Sequence, residues 1–210
     1  MTVSHSFPNS ESDFGALFFT FSAFPTFYTS FTSMLTPADQ SLIAAQMGRV
    51  PREVVDVTAR CPVGHPCVMT CYPLRRTRDR LHSEKPETLV PFPTLYWLTC
   101  PQLCRQVSHL ERDGVIAAIE AEVARDETLR AGLLRNHDDY IARRWAVLSL
   151  EDRALVEQSG LTSDFQSRGI GGMLDRAAVK CLHLHLAHHL AGGNVIGALL
   201  VERFGLKPCV

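Results

Sequence analysis

The sequence contains no Cys-x₂-Cys pair, no Gly-Lys-Ser/Thr phosphate loop and no serine in a nucleophile-elbow setting. The first absence removes the strong spacing signature of a zinc site. The second excludes a Walker-type nucleotide loop, and the third leaves Ser108 and Ser159 without the context for serine chemistry. There is no internal repeat and no excess of charge of either sign: 21 Lys and Arg stand against 22 Asp and Glu. Such a balance gives no global basic surface for nucleic acid, although local arginines remain available as contacts. The 210 residues, 46% apolar and 20% charged, are those of an ordinary globule long enough to bury its own core.

Charge is also missing locally. Phe14 to Ala38 carries none, no Lys or Arg precedes it, and residues 1–33 hold eight of the eleven phenylalanines. An uncharged stretch of that length raises a membrane helix or a signal. The missing basic flank and the interspersed Thr20, Ser22, Pro25, Thr26, Thr29 and Ser30 argue against both. We expect residues 1–33 to be a disordered extension, or upstream sequence in front of a true start at Met34, and residues 34–210 to be a single domain. Seven cysteines, an odd count with no secretory signal, point to a reducing cytoplasm, with thiols buried, metal-bound or reactive rather than paired. No membrane partner is expected.

Proline and glycine divide the remainder into elements. Thr36 caps and Pro37 opens a helix over 37–47. Strands over 54–59 and 67–74 form a hairpin about Val63-Gly64-His65-Pro66, followed by an exposed arginine-rich loop over 75–88 and a strand over 94–99. Helices are expected over 101–113, 115–125, 127–148 and 150–158, then a loop over 159–168, a histidine-bearing helix over 175–191 and a last helix over 195–204. The class is α+β: a small antiparallel sheet of about three strands packed by about six helices.

Cys61 and Cys100 each end an expected strand and each precedes proline, which stops the strand and leaves a thiol at the sheet's end. On the histidine helix, Cys181, His185 and His188 share a face at 100° per residue, with His183 nearly opposite. Cys61, Cys100 and Cys181 with a histidine would form a Cys₃His zinc set; the same thiols would hold an iron–sulfur cluster. The plain alternative is that the thiols are simply packed. Cys67 and Cys71 read as core, Cys104 as a reserve ligand and Cys209 as incidental; His189 is expected at the surface. The turn Gly169-Ile170-Gly171-Gly172 before a helix offers Gly171 and Gly172, with Arg176 and Lys180, as a site for a small anionic ligand, unless it is an ordinary tight loop.

The runs Arg60-Cys61-Pro62-x-Gly64-x-Pro66, Pro91-Phe92-Pro93-Thr94-Leu95-Tyr96-Trp97-Leu98-Thr99-Cys100-Pro101, Gly171-Gly172 and Val179-Lys180-Cys181-Leu182-His183 resemble the bacterial domain-of-unknown-function family numbered 501, from about Met34 to Gly197. The resemblance implies a cytoplasmic bacterial protein and supplies no activity. It places the family's cysteines on Cys61, Cys100 and Cys181 and its histidines on His183 and His188, with His185 matching only some members. It therefore favours His188 as the fourth ligand, although His185 is better placed on an ideal helix.

Three functions follow as expectations. One is a zinc or iron–sulfur protein with ligands Cys61, Cys100, Cys181 and His188, and with an anionic substrate at Gly171, Gly172, Arg176 and Lys180. Another is a metal-free thiol enzyme using Cys181 or Cys100. The third is a binding module whose Cys/His cluster is structural, with the 75–80 arginines and Arg143-Arg144 meeting a partner such as RNA.

Overall fold

The computed structural model describes residues 35–77 and 88–209. The expectations for residues 1–33, for a start at Met34 and for Arg78 and Arg80 lie outside these.

Helix α1 (Pro37–Met47) opens with a reciprocal cap: Thr36 Oγ1 accepts the Asp39 N–H and Asp39 accepts the Thr36 N–H, both at 3.1 Å. Strands β1 (Val54–Arg60), β2 (Pro66–Cys71) and, further on, β5 (Tyr96–Leu98) form an antiparallel sheet in the order β1-β2-β5. Arg60 at the end of β1 grips Asp39 with both Nη atoms, at 2.6 and 2.9 Å, tying the sheet to α1.

Between β2 and β5 lies a difference from expectation. Residues 75–88 are not all loop, because β3 (Leu74–Thr77) pairs antiparallel with β4 (Thr88–Pro91). The arginines there have partners: Arg75 stacks 3.5 Å above the Phe92 ring and Arg76 pairs with Asp152 at 2.5 Å.

The rest is helical: α2 (Pro101–Arg112), α3 (Val115–Arg125), α4 (Glu127–Val147), α5 (Leu150–Gln158), α6 (Thr162–Ser167), a 3₁₀ turn at Ile170–Gly172, α7 (Leu182–Gly192) and α8 (Val195–Phe204). The described residues thus hold eight α-helices: the seven expected spans and one addition, the short α6, which falls where a loop was expected. No single described helix is long and apolar enough to cross a membrane.

Every residue of β2 is buried, because both faces of the sheet are covered. Met69 and Cys71 pack with Val57 and with Ile43 of α1. Val68 joins the larger core with Leu182 and Leu186 of α7. Tyr140 of α4 reaches beneath β5, its hydroxyl accepting the Leu95 N–H at 2.6 Å and donating to the Pro93 carbonyl at 3.2 Å. Helices α7 and α8 meet at about 100° and cross closely; a Cβ on Gly197 would lie 2.3 Å from His189 Cβ. That approach half-buries His189, which was expected at the surface.

The most consequential difference concerns the histidine helix. It begins at Leu182, not at 175, so Cys181 is its N-cap, with extended φ −162° and ψ 125°. The shared helical face of Cys181, His185 and His188 therefore does not exist. The glycine turn also does not open this helix, since nine irregular residues intervene.

Candidate metal centre

Glu111 stands in the last turn of α2, where the helix dipole disfavours a carboxylate. A second helix compensates: Glu111 Oε1 accepts the Leu182 N–H at 2.7 Å, capping α7 from outside. Cys181, extended at the N-cap, turns its thiol to the same point. His183, in the first turn of α7, lays its ring along α2. Its Nε2 lies 3.1 Å from the Cys104 carbonyl and 3.3 Å from Ser108 Oγ. Its Nδ1 lies 3.1 Å from Glu111 Oε1 and 3.6 Å from Cys181 Sγ. Cys104, Ser108 and Glu111, spaced i, i+4 and i+7, offer these groups from one face of α2.

Both ring nitrogens face acceptors. The Cys104 carbonyl only accepts and so favours a hydrogen on Nε2. Nδ1 and the Glu111 carboxylate, 3.1 Å apart, then need a hydrogen or a cation between them. A second ring proton, the thiol proton or a metal ion supplies it. Burial alone would raise the Glu111 carboxyl, but hydrogen bonds from Cys181, His183 and the Leu182 N–H outweigh it and hold the group below its ordinary value. Burial pushes the Cys181 thiol up, and Glu111 adds to that push. A thiol held in this way gives up its proton to a metal far more readily than to water.

Among the described residues, two groups bring three ligand atoms within 4.8 Å of one another: Glu111, Cys181 and His183, and Cys61, His65 and Cys209. The four ligands expected from the sequence are divided between these groups and the core. Cys61 lies in the second group. Cys100 adjoins it, with its Sγ 3.9 Å from Cys209 Sγ; Cys209, read as incidental, is a full member. Cys181 lies in the first group, and Cys104 contributes its carbonyl there rather than its thiol.

His188 is fully buried against the sheet. Its Nδ1 accepts from Asn194 Nδ2 at 3.2 Å and its Nε2 donates to Asp139 at 3.1 Å. It stacks on Tyr96, with ring centroids 5.6 Å apart. Burial pulls its pKa down to about 4 against the Asp139 charge, so it sits neutral. His185, bonded to the other end of the Asn194 amide at 3.3 Å, is pushed down by burial to about 3.

The thiol-rich group has a different electrostatic character. Cys100 is the N-cap of α2. A hydrogen bond from Cys67, together with the backbone N–H groups of Leu103, Cys209 and Gln102, overcomes burial and draws its thiol down to about 5. The proton remains on Cys67, whose thiol is pushed far above the ordinary range. Burial and the Cys100 charge push Cys209 up to about 12.

The expected anion residues also separate. Gly171, Gly172 and Lys180 line one cavity. Arg176 does not; outside any helix, it pairs with Asp138 at 2.5 Å.

With these groups located, the comparisons with known proteins bear on them. The family described as Protein of unknown function (DUF501) matches residues 57–202. The chain belongs to this family. No curated protein and no solved structure matches it. The DUF501 match contains all of Glu111, Cys181 and His183, whereas Cys209 of the other group lies beyond its end. Glu111 and His65 were not singled out in the sequence. For Glu111 one signal was present: an acidic residue closing a helix, where the dipole should repel it, needs a partner from elsewhere in the fold.

Proposed function

We propose that this DUF501 chain is a metalloprotein whose centre is Glu111, Cys181 and His183, holding zinc with a fourth position open to water. The observation that carries the reading is the position of His183 Nδ1, 3.1 Å from a carboxylate and 3.6 Å from a thiol while Nε2 meets the Cys104 carbonyl. Bonds of about 2.0–2.3 Å in a tetrahedron put ligand atoms roughly 3.3–3.7 Å apart, close to this spacing. A mixed nitrogen, oxygen and sulfur set suits zinc, and a single thiol favours it over an iron–sulfur cluster. Three protein ligands with a fourth position open is the catalytic rather than the structural pattern. His183 and Glu111 keep about a quarter of their side-chain surface exposed, so water has access. Chemistry by a metal-activated water or a polarised carbonyl or phosphoryl group fits such a centre.

The test is zinc stoichiometry after exhaustive dialysis. Wild-type protein should retain about one zinc per chain by this reading. Glu111→Gln, Cys181→Ser and His183→Ala should each lose it, while Cys61→Ser and Cys209→Ser should not. Cobalt in place of zinc should show a thiolate charge-transfer band that Cys181→Ser abolishes. Full retention of zinc in Glu111→Gln overturns the reading.

A second reading rests on Cys100. The metal-free thiol alternative suits Cys100 better than Cys181, because its thiol is drawn down to about 5 with Cys209 Sγ 3.9 Å away.

A further inference from the structure

A cavity of about 360 Å³ lies between α4, α6, the Pro91-Phe92-Pro93 segment and the glycine turn. It falls at the lower end of the range for small-molecule sites. Consecutive residues of extended backbone point opposite ways. Thus Lys180 reaches the cavity, its Nζ donating to the Gly171 carbonyl at 3.0 Å, while Cys181 turns to the metal group.

Arg144 is the feature that calls for a ligand. It is 2% exposed, yet no carboxylate among the described residues pairs with it. Its Nη2 donates to the Phe165 carbonyl at 2.6 Å and to the Arg168 carbonyl, and its Nε is buried with no partner. A buried guanidinium without a counter-charge is costly, and an anion drawn in beside it removes the cost. Among the described residues Asp164 is the only acid lining the cavity, and Arg168 pairs with it at 2.7 Å. Arg144, Arg168 and Lys180 against Asp164 leave two positive charges facing the space. Phe92 and Phe165 supply apolar walls.

The glycine turn forms one wall by backbone alone. Gly172 has φ +80°, and a Cβ there would lie 2.9 Å from Pro93. Any larger residue would push the turn away from the proline segment.

We propose that this cavity binds a phosphate monoester with a small apolar or planar organic part, the phosphate against Arg144 and Lys180 and the organic part against Phe92 and Phe165. Charge favours phosphate over carboxylate, since a phosphate monoester carries nearly two negative charges at neutral pH, matching the two uncompensated cations. The guanidinium fork suits its oxygens. This inference is independent of the metal reading, because no cavity residue belongs to the proposed centre.

The experiment is calorimetric titration of the full chain with phenyl phosphate, inorganic phosphate and benzoate. Phenyl phosphate should bind most tightly, inorganic phosphate more weakly and benzoate weakest. Lys180→Met, a change at an exposed position, should weaken phenyl phosphate binding about tenfold, the cost of one charge-assisted contact. Arg144→Met should abolish binding. If that variant does not fold, Phe92→Ala supplies the second arm and should weaken phenyl phosphate while sparing inorganic phosphate. Arg105→Met, at an exposed position of α2 that does not line the cavity, should leave all three titrations unchanged. Absence of binding by both phosphate probes, or equal binding by wild type and Lys180→Met, overturns the proposal.

Discussion

Cys100 and Cys181 occupy the same kind of position: each is a helix N-cap whose thiol makes no capping hydrogen bond of the usual kind. Their thiols are nonetheless pushed in opposite directions. Cys100 is drawn down to about 5, chiefly by the hydrogen bond from Cys67, and Cys181 is pushed up, by burial and then by Glu111. A helix N-terminus therefore does not by itself make a thiolate. The neighbour decides: a second thiol that donates stabilises the charge, and a carboxylate repels it. The same carboxylate would attract a cation to the Cys181 site, so the proposed metal centre and the thiol-rich group differ in the charge that their neighbours favour.

The widest separation of the two regions should come from zinc itself. Glu111→Gln removes the charge that distinguishes Cys181 from Cys100, and zinc content should fall from about one per chain toward zero. Cys100→Ser should leave it unaltered. If instead Cys100→Ser empties the protein and Glu111→Gln does not, the centre lies in the thiol-rich group of Cys61, His65 and Cys209.

Next in size is the protonation contrast, read on metal-free protein. At pH 7 the thiolate ultraviolet absorbance of wild type minus Cys100→Ser should correspond to about one thiolate, from a group titrating near pH 5. Wild type minus Cys181→Ser should show almost none, and Glu111→Gln should lower the pH at which Cys181 ionises. Equal ionisation of the two thiols would erase the contrast.

How much of this was legible in the sequence depended on whether a feature was local. The caps and stops were: Thr36-Pro37, Gly48 and Pro101 bound their helices where the residues alone place them, and the β1–β2 hairpin follows from β-branched runs about a Gly-His-Pro turn. The start of α7 was not, because Asp175 and Arg176 are acceptable helix residues, and the contacts that hold the segment before Leu182 out of the helix are tertiary: Arg176 with Asp138, the Val179 N–H with Glu120 and the Leu182 N–H with Glu111. An error of seven residues there reversed the geometry, turning His183 from the far side of Cys181 to its neighbour. The family resemblance pointed to Cys181 and His183, as it did to Cys61, Cys100 and His188, and assigned no partners to any of them. Glu111 is 70 residues away in sequence, and the burial of Arg144 depends on α6, which was read as a loop. The contact of Cys209 with Cys100 is tertiary and left no pattern at all.

A third effect separates the histidines. His137, His185 and His188 are buried and held neutral, at about 4, 3 and 4 against an ordinary 6.5, desolvation being the main cause in each. Between those values and 6.5 the unfolded chain binds more protons than the folded one, so stability falls as pH falls through that window and is flat above it. The slope is about 1.4 kcal/mol per pH unit for each imidazole in that window. Thermal melts from pH 7.5 to 4.5 should show a steep loss below about 6.5. His188→Gln should reduce the slope without changing zinc content, whereas His183→Ala should abolish zinc and leave the slope in place. A melting temperature level across this range would mean that the buried imidazoles are already protonated or solvated.

The smallest expected effect tests what orients His183. Ser108 Oγ lies 3.3 Å from Nε2 and the Cys104 carbonyl 3.1 Å from the same atom. The hydroxyl can donate or accept, so it imposes no tautomer; the carbonyl only accepts, so of these two partners it is the one that favours a hydrogen on Nε2. Outer partners of a metal-bound histidine typically contribute 10- to 100-fold in affinity. Ser108→Ala leaves the carbonyl in place, so zinc affinity in a chelator competition should fall by about tenfold or less. The Cys100 thiolate absorbance, at the other end of α2, should be unchanged. A loss near a hundredfold would assign the orienting role to the serine, and a parallel change at Cys100 would mean that α2 transmits strain between its ends and that the two sites are not independent.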